Sequence, residues 1–119
     1  MMATANAHAA VQDLKSRISA IAVALVSRDG QVLFAEVPAG TYAETFAIMC
    51  ATVLGAAAAA NRELNRATPD RAVIQAGDAT TLIVGAGQAA MLVAMVEPDA
   101  DTDFVLNEVT RFAELFRGN

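Results

Sequence analysis

The sequence predicts a mixed α/β fold of the α+β type: a five-stranded antiparallel sheet, strand order 2-1-5-4-3, between helices on both faces. Three observations carry this. Helical and extended segments follow one another in the order α-β-β-α-β-β-β-α. The links within the first pair of strands and within the last three are far shorter than the dozen or so residues that a parallel crossover needs. The first strand and the last are the most uniformly apolar, as strands buried on both faces are, so they belong side by side at the centre.

The elements follow in order. A first helix is expected from about Ala9 to Ile18, because Val11, Leu14 and Ile18 recur at steps of three and four. Residues 1–8, which include His8, read as a mobile N-terminal tail ahead of one domain spanning 9–119. Ile21–Val26 is a continuous apolar strand, and Asp29-Gly30 is a strong hairpin signal. The chain returns over Gln31–Val37 until Pro38 stops it. Next comes a long helix from Thr41 to about Asn65. Thr41 and Glu44 form a capping-box pattern at its start, and Arg62 and Arg66 suit the negative end of its dipole. Thr68-Pro69-Asp70 breaks the chain. Three strands, about Arg71–Ala76, Thr80–Gly85 and Ala89–Val96, are then joined by short glycine-bearing turns into a meander. After Glu97-Pro98, a last helix is expected with the buried stripe Val105, Val109, Phe112 and Phe116 and a stop at Gly118.

Composition excludes several classes of function. The 119 residues are 55% hydrophobic and 18% charged, against roughly 45–50% and 25% in ordinary domains. That is more apolar surface than a lone small domain easily hides. A net charge of −5 with no basic cluster argues against a nucleic-acid partner. The single cysteine excludes a disulfide framework and a multi-thiolate zinc site. No basic, apolar leader is visible at the N-terminus. Of the two uncharged stretches, Thr45–Ala60 falls short of the about 20 residues that span a bilayer, and Ala79–Val96 is cut by Gly85-Ala86-Gly87-Gln88. Neither export nor membrane insertion is expected, and the cytoplasm is the expected location.

The long helix is apolar on two sides. Phe46, Met49, Cys50, Val53, Ala57, Ala60 and Leu64 fall on one stripe, wide enough to cover a sheet face. The opposite side should be charged, yet it holds Ile48, Ala51, Gly55, Ala58 and Ala59, with Glu44 and Arg62 only at its ends. A helix apolar nearly all round is buried nearly all round, and nothing in so short a chain remains to cover the second side. A second copy is therefore expected there, packed across a two-fold axis with Glu44 near the mate's Arg62. The bare middle of the third strand, Ala72, Val73 and Ile74, is expected to join this interface.

The order of elements resembles the roadblock / dynein light chain family, in its bacterial and archaeal branch. The local matches are Ile21–Gly30 with its Asp-Gly turn, the alanine-rich helix Phe46–Leu64, and Thr80–Gly85 followed by Gln88–Val96 with Met91-Leu92-Val93-Ala94. The resemblance covers about Val11 to Phe116. It implies a small dimer paired through the second helix and third strand, associated with a small Ras-like GTPase. The alternatives are a pure assembly scaffold or, less in keeping with the tight alanine packing, a small-molecule sensor. The family often has a glycine before the first strand, where this chain has Ser19 or Ala20.

Chemistry is sparse. His8 has no second histidine or cysteine near it in sequence, and Cys50 on the core stripe has no histidine to activate it. Asp99, Asp101 and Asp103 open like a calcium loop, but Phe104 and Thr110 stand where such a loop needs glycine and glutamate. Carboxylates at a helix N-terminus explain them better. Gly85-Ala86-Gly87 lacks a third glycine and the lysine of a phosphate loop, and reads as a turn. Arg28, beside the first hairpin tip, is a possible partner contact. No enzyme activity, metal or cofactor is expected.

Overall fold

The computed structural model describes residues 4–117. Its elements are α1 (Thr4–Arg17), β1 (Ala22–Ser27), β2 (Val32–Glu36), α2 (Ala43–Glu63), β3 (Arg71–Gln75), β4 (Thr80–Ala86), β5 (Ala90–Val96) and α3 (Thr102–Arg117). The five strands form one antiparallel sheet in the order β2-β1-β5-β4-β3. Fold class, element order and strand order are those the sequence predicts.

Strand alternation sorts the core into two layers. Val23, Leu25, Leu82, Val84, Leu92 and Ala94 face α1 and α3, which add Val11, Leu14, Ile18, Val105, Val109 and Phe112. Ala24, Val26, Ile83, Met91 and Val93 face α2, which adds only Ala47, Cys50 and Leu54 as buried residues. The α1/α3 layer is thick and closed, whereas the α2 layer is thin.

Two helix starts differ from expectation. α1 begins at Thr4, five residues before the expected Ala9, so His8 belongs to a helix rather than a tail. Four of the six residues Ala5–Ala10 are alanine, the best helix former, and Ala7, at 4% exposure, extends the buried stripe of Val11 and Leu14. Residues 1–3, the side chain of Phe116 and the stop at Gly118 lie outside what is described. At α2, Tyr42 and not Thr41 is the N-cap, and no side chain bonds the free amides there. The capping box is not formed, and Glu44 acts only as a charge in the first turn. The other end closes on Asn65, which takes a left-handed φ of 59° while its N–H donates to the Arg62 carbonyl at 3.0 Å.

Ser19 also has a left-handed φ, 52°. It occupies the turn into β1, the place where the resemblance leads one to look for glycine. At α3 the acidic run finds its role: Asp101 Oδ1 accepts the Phe104 N–H at 3.1 Å, capping the helix.

Candidate functional site: an apolar helix face beside an open sheet edge

α2 is rotated on the sheet by roughly 80° from the expected stripe, at about 100° per residue. Its buried line is Ala47, Cys50 and Leu54, with Phe46, Ala51 and Ala58 half-buried beside it. Met49, Val53 and Leu64, expected in the core, are 54%, 38% and 75% exposed. Leu54, expected on neither stripe, is buried. The reason is local. Gly30 in the β1–β2 turn has φ +95° and lies so close beneath α2 that a Cβ there would sit 3.0 Å from Ile48 Cγ1. That contact fixes the rotation and leaves small residues, Ala47 and Cys50, where helix and sheet meet most closely.

The outward face is therefore larger than expected. It runs through Ile48, Met49, Thr52, Val53, Gly55, Ala56, Ala59 and Ala60, all exposed, with exposed Glu44 and Arg62 towards its ends. Between Ile48 and Ala60 the one polar residue of this face hides its polarity: the Thr52 hydroxyl donates to the Ile48 carbonyl at 2.8 Å. Gly55 has open space around the position a Cβ would take. Nothing within the chain requires a glycine there, although mid-helix glycine costs about 1 kcal/mol relative to alanine.

Next to this face lies the edge strand. β3 pairs with β4 alone among the described strands, so its outer row of amides and carbonyls is open. Ala72 is half-buried on the α2 side, Ile74 shares that side by alternation at 40% exposure, and Val73 points to the other side at 46%. Of the ten residues expected at an interface, Glu44, Ile48, Gly55, Ala59, Arg62, Val73 and Ile74 are exposed. Ala51, Ala58 and Ala72 are half-buried against the chain's own sheet.

The remaining candidates have structural partners. Arg28 spans the two hairpin tips, donating from Nη2 to the Gly87 carbonyl at 2.7 Å. It fills the space beside Gly85, where a Cβ would meet that nitrogen at 2.8 Å. The same arginine walls a cavity of about 170 Å³ lined also by Leu54, Gly55, Ala58 and Met91. His8 stacks on Phe34, ring centroids 5.8 Å apart, with Nε2 3.1 Å from Glu36 Oε1; Gln12 donates to the same oxygen at 2.7 Å. These three contacts clasp α1 to β2. Cys50 is a buried free thiol whose pKa burial pushes up from 9.0, the opposite of what a nucleophile needs. Among the described residues, no group of histidine, cysteine and carboxylate side chains is arranged to hold a metal ion. α2 is long and apolar enough to cross a membrane by length and composition alone.

What this arrangement can do is associate. Residues 5–95 match the family model described as Roadblock/LC7 domain. Solved structures of similar fold include an MglB with tetrameric arrangement, at TM-score 0.87 and 23% identity, over 98% of this chain and 89% of that one. The gliding protein MglB from Thermus thermophilus gives 0.85 and 21%, over 98% and 90%. A Roadblock/LC7 domain from Streptomyces avermitilis gives 0.84 and 15%, over 91% and 92%. No curated protein sequence matches the chain.

Proposed function

The chain belongs to the Roadblock/LC7 domain family, and from that premise we propose that it is a non-enzymatic homodimer that binds and regulates a small Ras-like GTPase in the cytoplasm. The observation that carries the dimer is the uncharged outer face of α2 beside the open edge of β3. Six large apolar side chains, Ile48, Met49, Val53, Leu64, Val73 and Ile74, are each 38–75% exposed in the single chain. Burying what remains of each is worth about 1 kcal/mol, some 6 kcal/mol per chain and about 12 kcal/mol for the pair. Association costs about 4–15 kcal/mol in lost freedom, so this apolar burial alone is marginal. The β3 edges joined across the same two-fold axis add backbone hydrogen bonds worth about 1 kcal/mol each. The two contributions together make a stable pair, with a ten-stranded sheet and Glu44 near the partner subunit's Arg62. A lone cysteine kept as a thiol fits the cytoplasm.

Regulation is indirect in this reading. The described residues hold no activated nucleophile, and Arg28 is tied to Gly87. The dimer acts by preferring one conformation of the GTPase's mobile loops and shifting its population by that difference in affinity. Two measurements test this. Sedimentation velocity at tens of micromolar should give a 25 kDa species, about twice 12.3 kDa; 12 kDa monomers would remove the platform. Capture of Ras-like GTPases from the native host, loaded with GDP or a GTP analogue, should favour one state. Equal capture of both would leave a scaffold without regulation.

A further inference from the structure

α2 meets the sheet closely over its first half only. Ile48 rests against Gly30, and Ala47, Cys50 and Leu54 are buried. Beyond Leu54 no residue of α2 is buried, because Gly55 and Ala58 are too short to fill the space between helix and sheet. The cavity of about 170 Å³ beside Arg28 is what they leave. A Cβ at Gly55 would meet nothing within 4 Å. At about 100° per residue, Ala51, Gly55 and Ala58 centre on a flank roughly 100° round from Thr52, Ala56 and Ala59. The cavity therefore opens towards the hairpin tips, and it does not depend on pairing through the outward face.

Its walls are apolar below and cationic at the opening. Leu54 and Met91 are buried and form the floor, whereas Arg28 and Thr68 are exposed. None of the described residues that line it is a carboxylate. Arg28 gives Nη2 to the Gly87 carbonyl and enters no salt bridge among the described residues. A guanidinium carries five N–H donors in a planar fork that matches a carboxylate, so most of this one's capacity is unspent. A second charge on the ligand would lie over a floor that offers it no hydrogen bond. In size the cavity is close to one of about 150 Å³ that holds a benzene ring, and a ring there would meet the Met91 thioether favourably. We propose that this cavity binds a small monocarboxylate. The carboxylate sits on Arg28 and the Thr68 hydroxyl, and an apolar body of about six carbons lies over Leu54 and Met91.

The probe is benzoate, titrated into the full chain while backbone amide shifts are followed by NMR, beside benzamide and acetate. Saturable shifts at Ala51, Gly55, Ala58 and Met91 are expected, with a dissociation constant on the order of 1 mM for so small a ligand. Benzamide keeps the ring without the charge, and acetate keeps the charge without the ring; each should bind at least tenfold more weakly. Arg28→Gln should weaken benzoate by a similar factor. Ala58→Leu fills the cavity while leaving Arg28 in place, and should abolish binding. The three-ligand comparison on the parent chain needs no variant, so it decides the matter even if a substitution disturbs the fold. No saturation below about 20 mM, benzamide or acetate binding as well as benzoate, or benzoate binding undiminished in a folded Ala58→Leu chain would overturn the site.

Discussion

Ser19 holds its backbone at φ 52°, a region costing an L-residue about 1–2 kcal/mol. Glycine would remove that strain while losing about 0.5–1 kcal/mol to chain entropy. Ser19→Gly should therefore raise stability by about 0.5–1 kcal/mol, read as an increase of about 2–4 °C in Tm. Gly55 gives the opposite kind of test. With open space at its Cβ position, Gly55→Ala should strengthen α2 within one chain by up to about 1 kcal/mol. If the glycine serves a close helix–helix approach, the same substitution should weaken the dimer, seen as a several-fold higher dissociation constant in dilution sedimentation. A gain in both readouts would show that Gly55 serves no interface. Burial raises the pKa of Cys50, so the folded chain holds the thiol protonated while the unfolded chain ionises it. Stability should be full below about pH 9 and fall above it, and Cys50→Ala should remove that portion of the alkaline decline in urea melts taken from pH 8 to 10.

At the scale of elements, α2 and β3 should fail as a unit. Ala59→Arg puts a charge at an exposed position of the helix face, and Ile74→Lys puts one on the open edge. Each should convert dimer to monomer with an unchanged far-ultraviolet circular dichroism spectrum, because neither residue is in the protomer's core. The same element shows where the sequence was legible and where it was not. β1 and β5 declare themselves by continuous apolar runs, and their central pairing followed from that alone. The azimuth of α2 did not, because a helix with no charge from Thr45 to Asn61 has no polar face to orient it. Bulk was the only guide, and it pointed Met49, Val53 and Leu64 inward. Close approach at Gly30 instead selected Ala47, Cys50 and Leu54 for the inside. Gly30 carries the signal, but it is a distance between elements and invisible in either one alone. The start of α1 was missed for a different reason: alanines from 5 to 10 form helix by propensity without a stripe large enough to be counted.

For the whole molecule, the question is whether the folded unit is one chain or two. Ten large apolar side chains are exposed among the described residues, and six of them belong to α2, its C-cap and β3. Among the described side chains of the other helical layer, α1 with α3, only Phe104 and Leu115 are left out. This asymmetry makes folding and pairing one process, so stability should depend on concentration. Each tenfold rise in chain concentration contributes about 1.4 kcal/mol per dimer, against an unfolding entropy of about 2.1 cal/mol/K per residue, or roughly 0.5 kcal/mol/K for two chains. Tm should then climb by about 2–3 °C per decade, measured by calorimetry from 5 to 500 μM. Ala59→Arg should abolish the slope and meet the parent curve at its dilute end. A parent Tm that stays flat across two decades, with sedimentation showing single chains throughout, would mean that α2 keeps its apolar face in water, and the dimer would have to be given up.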